Sequence, residues 1–129
     1  MTTTEKYTIY QSQSGKVLHL TWGSYEDKEQ DFSAALETFM ETLWNNHYER
    51  AIIDYSQVRI NFSPMLRRWL SEKWIPRLQQ NKVLKKMGFV LGGRLAHFSI
   101  QDLMHDAGST RFKVAYFHQL PTAEKWSKA

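Results

Sequence analysis

The chain of 129 residues contains no cysteine. This absence excludes a disulfide framework, a thiol nucleophile and a thiolate metal site. It also fits a reducing compartment. Because no basic segment followed by an apolar stretch opens the sequence, we expect a cytoplasmic protein without a secretory signal.

Long apolar runs are missing as well. No stretch approaches the roughly 20 apolar residues that a membrane-spanning helix requires, so we expect no membrane insertion. The sequence has only three prolines and six glycines, and no repeat or linker interrupts it. Its apolar fraction of 42% is enough for one continuous core. We therefore predict one domain over residues 1–129, with residues 1–6 frayed.

The spacing of apolar residues predicts strands that alternate with helices. Two alternating segments, 7–11 and 17–22, form a predicted hairpin, and a helical stripe predicts a helix over about residues 28–46. The later predicted elements are a strand at 51–55, a helix from residue 63, a strand at 86–91, a helix at 98–105, a strand at 111–117 and a helix from residue 121. This ββαβαβαβα order predicts an α/β fold with a mixed five-stranded sheet covered by helices.

The clearest local signal is Ser63-Pro64. A serine hydroxyl accepts a capping hydrogen bond at a helix start, and proline suits the first helical position. Pro76 lies inside the same predicted helix and removes a backbone donor. We therefore predict a bend between Glu72 and Pro76.

The order of elements and three short segments resemble the STAS domain, the fold of anti-sigma-factor antagonists. Residues 53–58 resemble the family's strand that ends in an aspartate-x-serine turn. Ser63-Pro64 lies where the family often has an aspartate-serine pair at a helix start. Phe117, Ala123 and Trp126 resemble the closing strand and helix of small bacterial members.

The resemblance implies a STAS-like, non-catalytic module that binds a protein partner in signalling or regulation. In signalling members a kinase phosphorylates the serine at this helix start, which corresponds by position to Ser63. The chain departs from that pattern, because Phe62 replaces the aspartate and Pro64 follows the serine. Ser63 is thus either a plain helix cap or a phosphosite, and both roles are compatible.

Two further segments are candidates for binding. Gly92, Gly93 and Arg94 follow a strand at its carboxyl end, where they form either a turn or an anion-binding loop near Ser63. Arg67, Trp74 and Arg77 are a candidate protein interface, with Trp74 as an exposed anchor, while Trp69 is assigned to the core. A homodimer through this helix or a sheet edge is a second arrangement.

Charge is distributed unevenly along the chain. Residues 59–94 hold nine Lys or Arg and one acid, whereas residues 26–49 hold seven acids and one Lys. This asymmetry can orient partners or subunits, or it marks two helices with differently charged solvent faces. Nucleic-acid binding is disfavoured because it requires a basic face, often with exposed aromatic residues.

Catalytic and metal motifs are not recognisable. His97, Asp102, His105 and Asp106 lack the His-x-x-x-His spacing of common zinc sites and are predicted to be a solvated face. No Gly-x-Ser-x-Gly elbow or cofactor fingerprint occurs, so we expect neither a cofactor nor an enzyme. A lipid- or nucleotide-binding domain and an uncharacterised enzyme with sequence-distant catalytic groups are the alternatives.

Overall fold

The structure is a computed structural model that describes residues 2–3, 7–12, 16–22, 29–58, 62–91 and 98–129. The strands are β1 (Thr2–Thr3), β2 (Tyr7–Gln11), β3 (Val17–Trp22), β4 (Arg50–Asp54), β5 (Lys86–Val90) and β6 (Lys113–Phe117). The helices are α1 (Glu29–Asn45), α2 (Pro64–Trp69, the π-helical turn Leu70–Trp74 and Ile75–Gln79), α3 (Phe98–Asp106) and α4 (Leu120–Lys128). The α/β order from β2 to α4 is the predicted one.

The strands form one mixed sheet in sequence order, from β1 to β6. β2 is antiparallel to both β1 and β3, whereas β3, β4, β5 and β6 are mutually parallel. The five predicted strands are confirmed, and β1 is a sixth strand that was not predicted. In β1, Thr2 pairs with Ile9 and Thr3 with Thr8.

The order and the direction of the strands decide which face of the sheet each helix covers. From β3 to β6 every crossover steps to the next strand on the same side, and right-handed crossovers then place all connecting helices on one face. α1, α2 and α3 accordingly share the main core with alternate residues of the strands, such as Leu20, Ile53 and Phe89. α4 covers the other face, where Ala123 packs with Ile52.

Helix α2 has a π-helical turn directly before Pro76. The Ile75 N–H bonds to the Leu70 carbonyl five residues back, and Pro76 has no N–H to continue the α-helical pattern. A π turn thus lies directly before Pro76, and the bend predicted between Glu72 and Pro76 stays a prediction. The additional residue of this turn rotates the following side chains about the axis, and Trp74, Ile75 and Leu78 all lie on the buried side.

The prediction of an exposed Trp74 is wrong. Trp74 is only 1% exposed, and its Nε1 donates a hydrogen bond to the Leu36 carbonyl of α1 at 3.0 Å. Trp69, predicted to lie in the core, packs against the main core but is only partly buried. Trp74 is therefore the more deeply buried of the two tryptophans.

Candidate functional site

Ser63 caps helix α2 as predicted. Its backbone is extended (φ −68°, ψ 161°), its Oγ accepts a hydrogen bond from the Leu66 N–H at 3.1 Å, and Pro64 opens the helix. The Arg67 N–H donates to the Ser63 carbonyl at 2.9 Å, which closes the first helical turn. Loss of such a cap costs about 1 kcal/mol.

The same hydroxyl also joins two helices. Ser63 Oγ donates a hydrogen bond to Glu29 Oε1, at the first residue of α1. The hydroxyl therefore uses its proton toward α1 and a lone pair toward α2. A phosphoryl group on Ser63 would remove this donor and place added negative charge beside the Glu29 carboxylate.

Phe62 lies before Ser63, at the position where the STAS domains that the sequence resembles often have an aspartate. Its ring packs on Phe32 of α1, with centroids 5.3 Å apart. Phe32 in turn stacks on Trp22 and contacts Tyr55, so the loop before α2 is attached to the main core. Burial raises the pKa of Tyr55, which stays a neutral phenol. Aromatic packing thus positions the start of α2.

An apolar depression of about 240 Å³ lies between the first turns of α1 and α2. We call it the α2 groove, and its lining residues are Glu29, Gln30, Ser33, Met65, Leu66 and Trp69. Met65 is 81% exposed, the largest exposure of any large apolar residue that the structure describes. A pliable methionine beside an aromatic ring is common at surfaces that bind other proteins.

Beyond the α2 groove, α2 carries more positive than negative charge. Arg68, Glu72 and Lys73 are exposed and Arg67 is half-buried, whereas the charged residue among the described lining of the groove is Glu29. A surplus of cations along α2 favours carboxylates in a partner segment that follows this helix. The interface role of Arg67 stays a prediction.

Arg77, the other predicted interface cation, has a partner inside the molecule. Its Nη1 lies 3.1 Å from both carboxylate oxygens of Glu37 on α1. Both side chains are about two-fifths exposed, at 42% and 41%, so solvent screening limits the pair to well below about 1 kcal/mol. Arg77 therefore attaches α2 to α1.

The predicted loop Gly92, Gly93 and Arg94 lies outside the described residues. Its neighbourhood is defined up to Leu91, because β4 and β5 are adjacent and parallel and Asp54 pairs with Val90. The Tyr55 N–H donates to the Val90 carbonyl at 2.7 Å, and Asp54 Oδ1 accepts from the Ser56 N–H at 2.9 Å. The strand ends that lead to Ser63 and to Gly92 thus lie side by side.

The histidines have separate environments. His105 is exposed on α3 together with Asp102 and Asp106, as predicted for a solvated face, and His97 lies outside the described residues. His19 is buried against the α4 face of the sheet and stacks on Tyr10 at 4.6 Å. Within the described ranges, no group of three His, Asp or Glu side chains is arranged to hold a metal ion.

Burial controls the titration of His19. Desolvation lowers the pKa of His19, while Glu124 and Asp54 act in the opposite direction and Lys128 adds to the lowering. Its Nε2 finds no hydrogen-bond partner among the described residues. The imidazole is therefore a neutral structural group in the sheet.

Sequence reasoning missed the Met65 and Trp69 side of the site. Met65 follows Pro64 and lies off the stripe formed by Leu66 and Leu70, which was the available signal for its exposure. The contribution of Glu29 could not be found in the same way, because α1 and α2 meet only in the folded chain.

The helices that the structure describes are all too short or too polar to cross a membrane.

Comparisons with known proteins concern the fold. No family model and no curated protein sequence matches the chain. A solved structure does match, that of an uncharacterized protein of the DUF3478 family from Shewanella loihica PV-4, described as having a SpoIIAA-like fold. The two chains are 16% identical, the TM-score is 0.59 and the alignment covers 98% of each chain.

The chain has a SpoIIAA-like fold. The STAS-like architecture predicted from the order of elements is thereby confirmed along almost the whole length of the chain. The matched protein is itself described as uncharacterized, so the match shows the fold and assigns no role.

Proposed function

We propose that the protein is a non-catalytic interaction module whose α2 groove binds an amphipathic segment of a partner protein. The observation that carries this proposal is Met65, which is 81% exposed beside Trp69 at the edge of an otherwise well-buried core. Exposure of this apolar side chain costs free energy that burial by a partner would recover.

The size and charge of the α2 groove support a protein segment as its occupant. A volume of about 240 Å³ is smaller than the usual range for drug-sized ligands, but it accepts an apolar side chain or two. Arg68 and Lys73 are exposed farther along α2, where they outnumber Glu72, and they favour carboxylates in the part of the segment that follows the helix. The expected partner therefore presents one or two large apolar residues flanked by Asp or Glu.

The environment of Ser63 favours binding over catalysis. Its hydroxyl contacts a carboxylate and a backbone amide, and neither gives it the imidazole that commonly activates a serine nucleophile. The same contacts make Ser63 a suitable control point for the α2 groove. Phosphorylation would repel Glu29, which lines the groove, and would change its opening.

The proposal is tested by affinity purification from the native cell with the wild type, Met65→Glu and Thr122→Glu. Thr122 is the control, because it is exposed on α4, the helix that covers the other face of the sheet. We expect Met65→Glu to lose a partner that Thr122→Glu retains. Equal recovery by both variants would contradict the proposal.

Sedimentation of the purified protein separates a partner protein from a second copy of the chain. We expect the wild type and Met65→Glu to sediment alike. Self-association that Met65→Glu abolishes would assign the groove to a homodimer and would contradict a separate partner. Sedimentation of Ser63→Glu beside Ser63→Ala shows whether charge at this position alters that state.

A further inference from the structure

A second depression lies at the opposite edge of the sheet, where the parallel strands begin. It has a volume of about 480 Å³, within the usual range of small-molecule sites. We call it the amino-edge cavity, and its lining residues are Trp44, His47, Gln80, Asn81, Lys82, Val83 and Arg111. They come from the end of α1 and from the loops that enter β4, β5 and β6.

Asn81 gives this cavity a fixed hydrogen-bond donor. The residue is only 2% exposed, and its Oδ1 accepts from the Val83 and Leu84 N–H groups, both at 2.9 Å. These two bonds set the orientation of the amide, so its Nδ2 faces away from that turn. Because Asn81 lines the cavity, this oriented amide is a candidate donor to a ligand there.

Trp44 supplies an aromatic wall. It is 38% exposed, although it lies on the apolar stripe of α1, and Val83 beside the cavity is 36% exposed. These are two of the three large apolar residues that the described part of the chain exposes. An accessible indole face binds planar rings by stacking.

The formally charged residues that line the cavity have one sign. Lys82 and Arg111 are exposed, and no carboxylate is found among the described lining residues. The nearby carboxylate of Glu49 lies 3.4 Å from Lys85 Nζ. Two cations in the lining of a concave site favour an anionic ligand.

We propose that the amino-edge cavity binds a small planar aromatic molecule that carries an anionic group. The ring stacks on Trp44, an acceptor atom of the ligand receives the Asn81 Nδ2 hydrogen bond, and the anionic group faces Lys82 and Arg111. Either a carboxylate or a phosphate can supply the anionic group. The site is independent of the α2 groove, and its test does not depend on a partner protein.

The test is a titration of the purified full-length protein, followed by calorimetry and by the indole N–H signal of Trp44 in NMR spectra. One series uses indole-3-acetate and a second uses adenosine monophosphate, which distinguishes the carboxylate from the phosphate source. Inorganic phosphate, acetate and adenosine are the matched probes that lack either the ring or the charge. We expect at least one aromatic anion to bind with Kd below about 1 mM.

Variants locate the binding. We expect Trp44→Ala, and separately the pair Lys82→Glu with Arg111→Glu, to weaken binding about tenfold or more, by the loss of stacking or of charge. Lys125→Glu, an exposed lysine on α4, is the charge control and retains wild-type affinity. The proposal is overturned if neither aromatic anion shifts the Trp44 signal. It is also overturned if binding survives both sets of variants, or if phosphate or acetate binds as tightly as the aromatic anions.

Discussion

Trp74 provides the sharpest test of how α2 packs. Its side chain is 1% exposed and donates to the Leu36 carbonyl, whereas Trp69 is only partly buried. Truncation of a buried tryptophan leaves a cavity and costs about 3–5 kcal/mol. We expect Trp74→Ala to lower the free energy of unfolding by this amount. Trp69→Ala should cost about 1–2 kcal/mol, because less apolar surface is lost from the core.

Urea unfolding followed by circular dichroism measures both values. The expected loss for Trp74→Ala is a large fraction of the roughly 5–15 kcal/mol that stabilises a typical domain. If Trp74→Ala does not fold, Trp74→Phe is the milder variant, because it retains an aromatic ring in the core. It removes the donor to the Leu36 carbonyl, and we expect it to lower the free energy of unfolding by about 1–3 kcal/mol. Equal losses for Trp69→Ala and Trp74→Ala would contradict the deeper burial of Trp74 in the core.

Three further perturbations test other parts of the structure. Ser63→Ala should cost about 1 kcal/mol by loss of the cap, and Ser63→Thr should restore most of it in the same unfolding assay. Gly88→Ala should change stability by less than about 1 kcal/mol, since its Cβ would lie 3.6 Å from Ile52, Phe117 and Trp126; a loss above about 2 kcal/mol would show that α4 packs closer. The pKa of His19 is lowered in the folded state, so near pH 6.5 the unfolded chain binds more protons than the folded chain. The contribution of His19 to stability is therefore fully present above pH 6.5. It declines as the pH falls toward the folded-state pKa. Unfolding curves between pH 7.5 and 5 should show this decline in the wild type and a shallower one in His19→Phe, and parallel curves would exclude His19 as its source.

Local chemistry accounts for the parts of the fold that could be predicted. Apolar periodicity predicted α1 to within one residue at each end, and Ser63-Pro64 identified the start of α2 because a cap needs only neighbouring residues. Leu66, Leu70 and Trp74 follow one another at four-residue spacing, so the helical period itself favours a buried Trp74. The π turn before Pro76 could not be predicted from that period, and Ile75 and Leu78 after it are buried.

The candidate sites depend on contacts between segments far apart in the sequence. Glu29 reaches Ser63 across 34 residues, and the α2 groove exists only because the starts of α1 and α2 meet. The amino-edge cavity combines Trp44, Asn81 and Arg111 from separate connections of the sheet. Periodicity identifies the apolar members of these surfaces but not their juxtaposition, which the parallel strand order creates.

The central claim, that the α2 groove binds a protein partner, is tested most directly by photo-crosslinking in living cells. A photoreactive amino acid replaces Met65 in one strain and the exposed Thr122 of α4 in another, and mass spectrometry identifies the joined peptides. We expect position 65 to join a segment of a different protein with large apolar residues flanked by Asp or Glu, and position 122 not to join it. No adduct from position 65, or the same adducts from both positions, would contradict the claim.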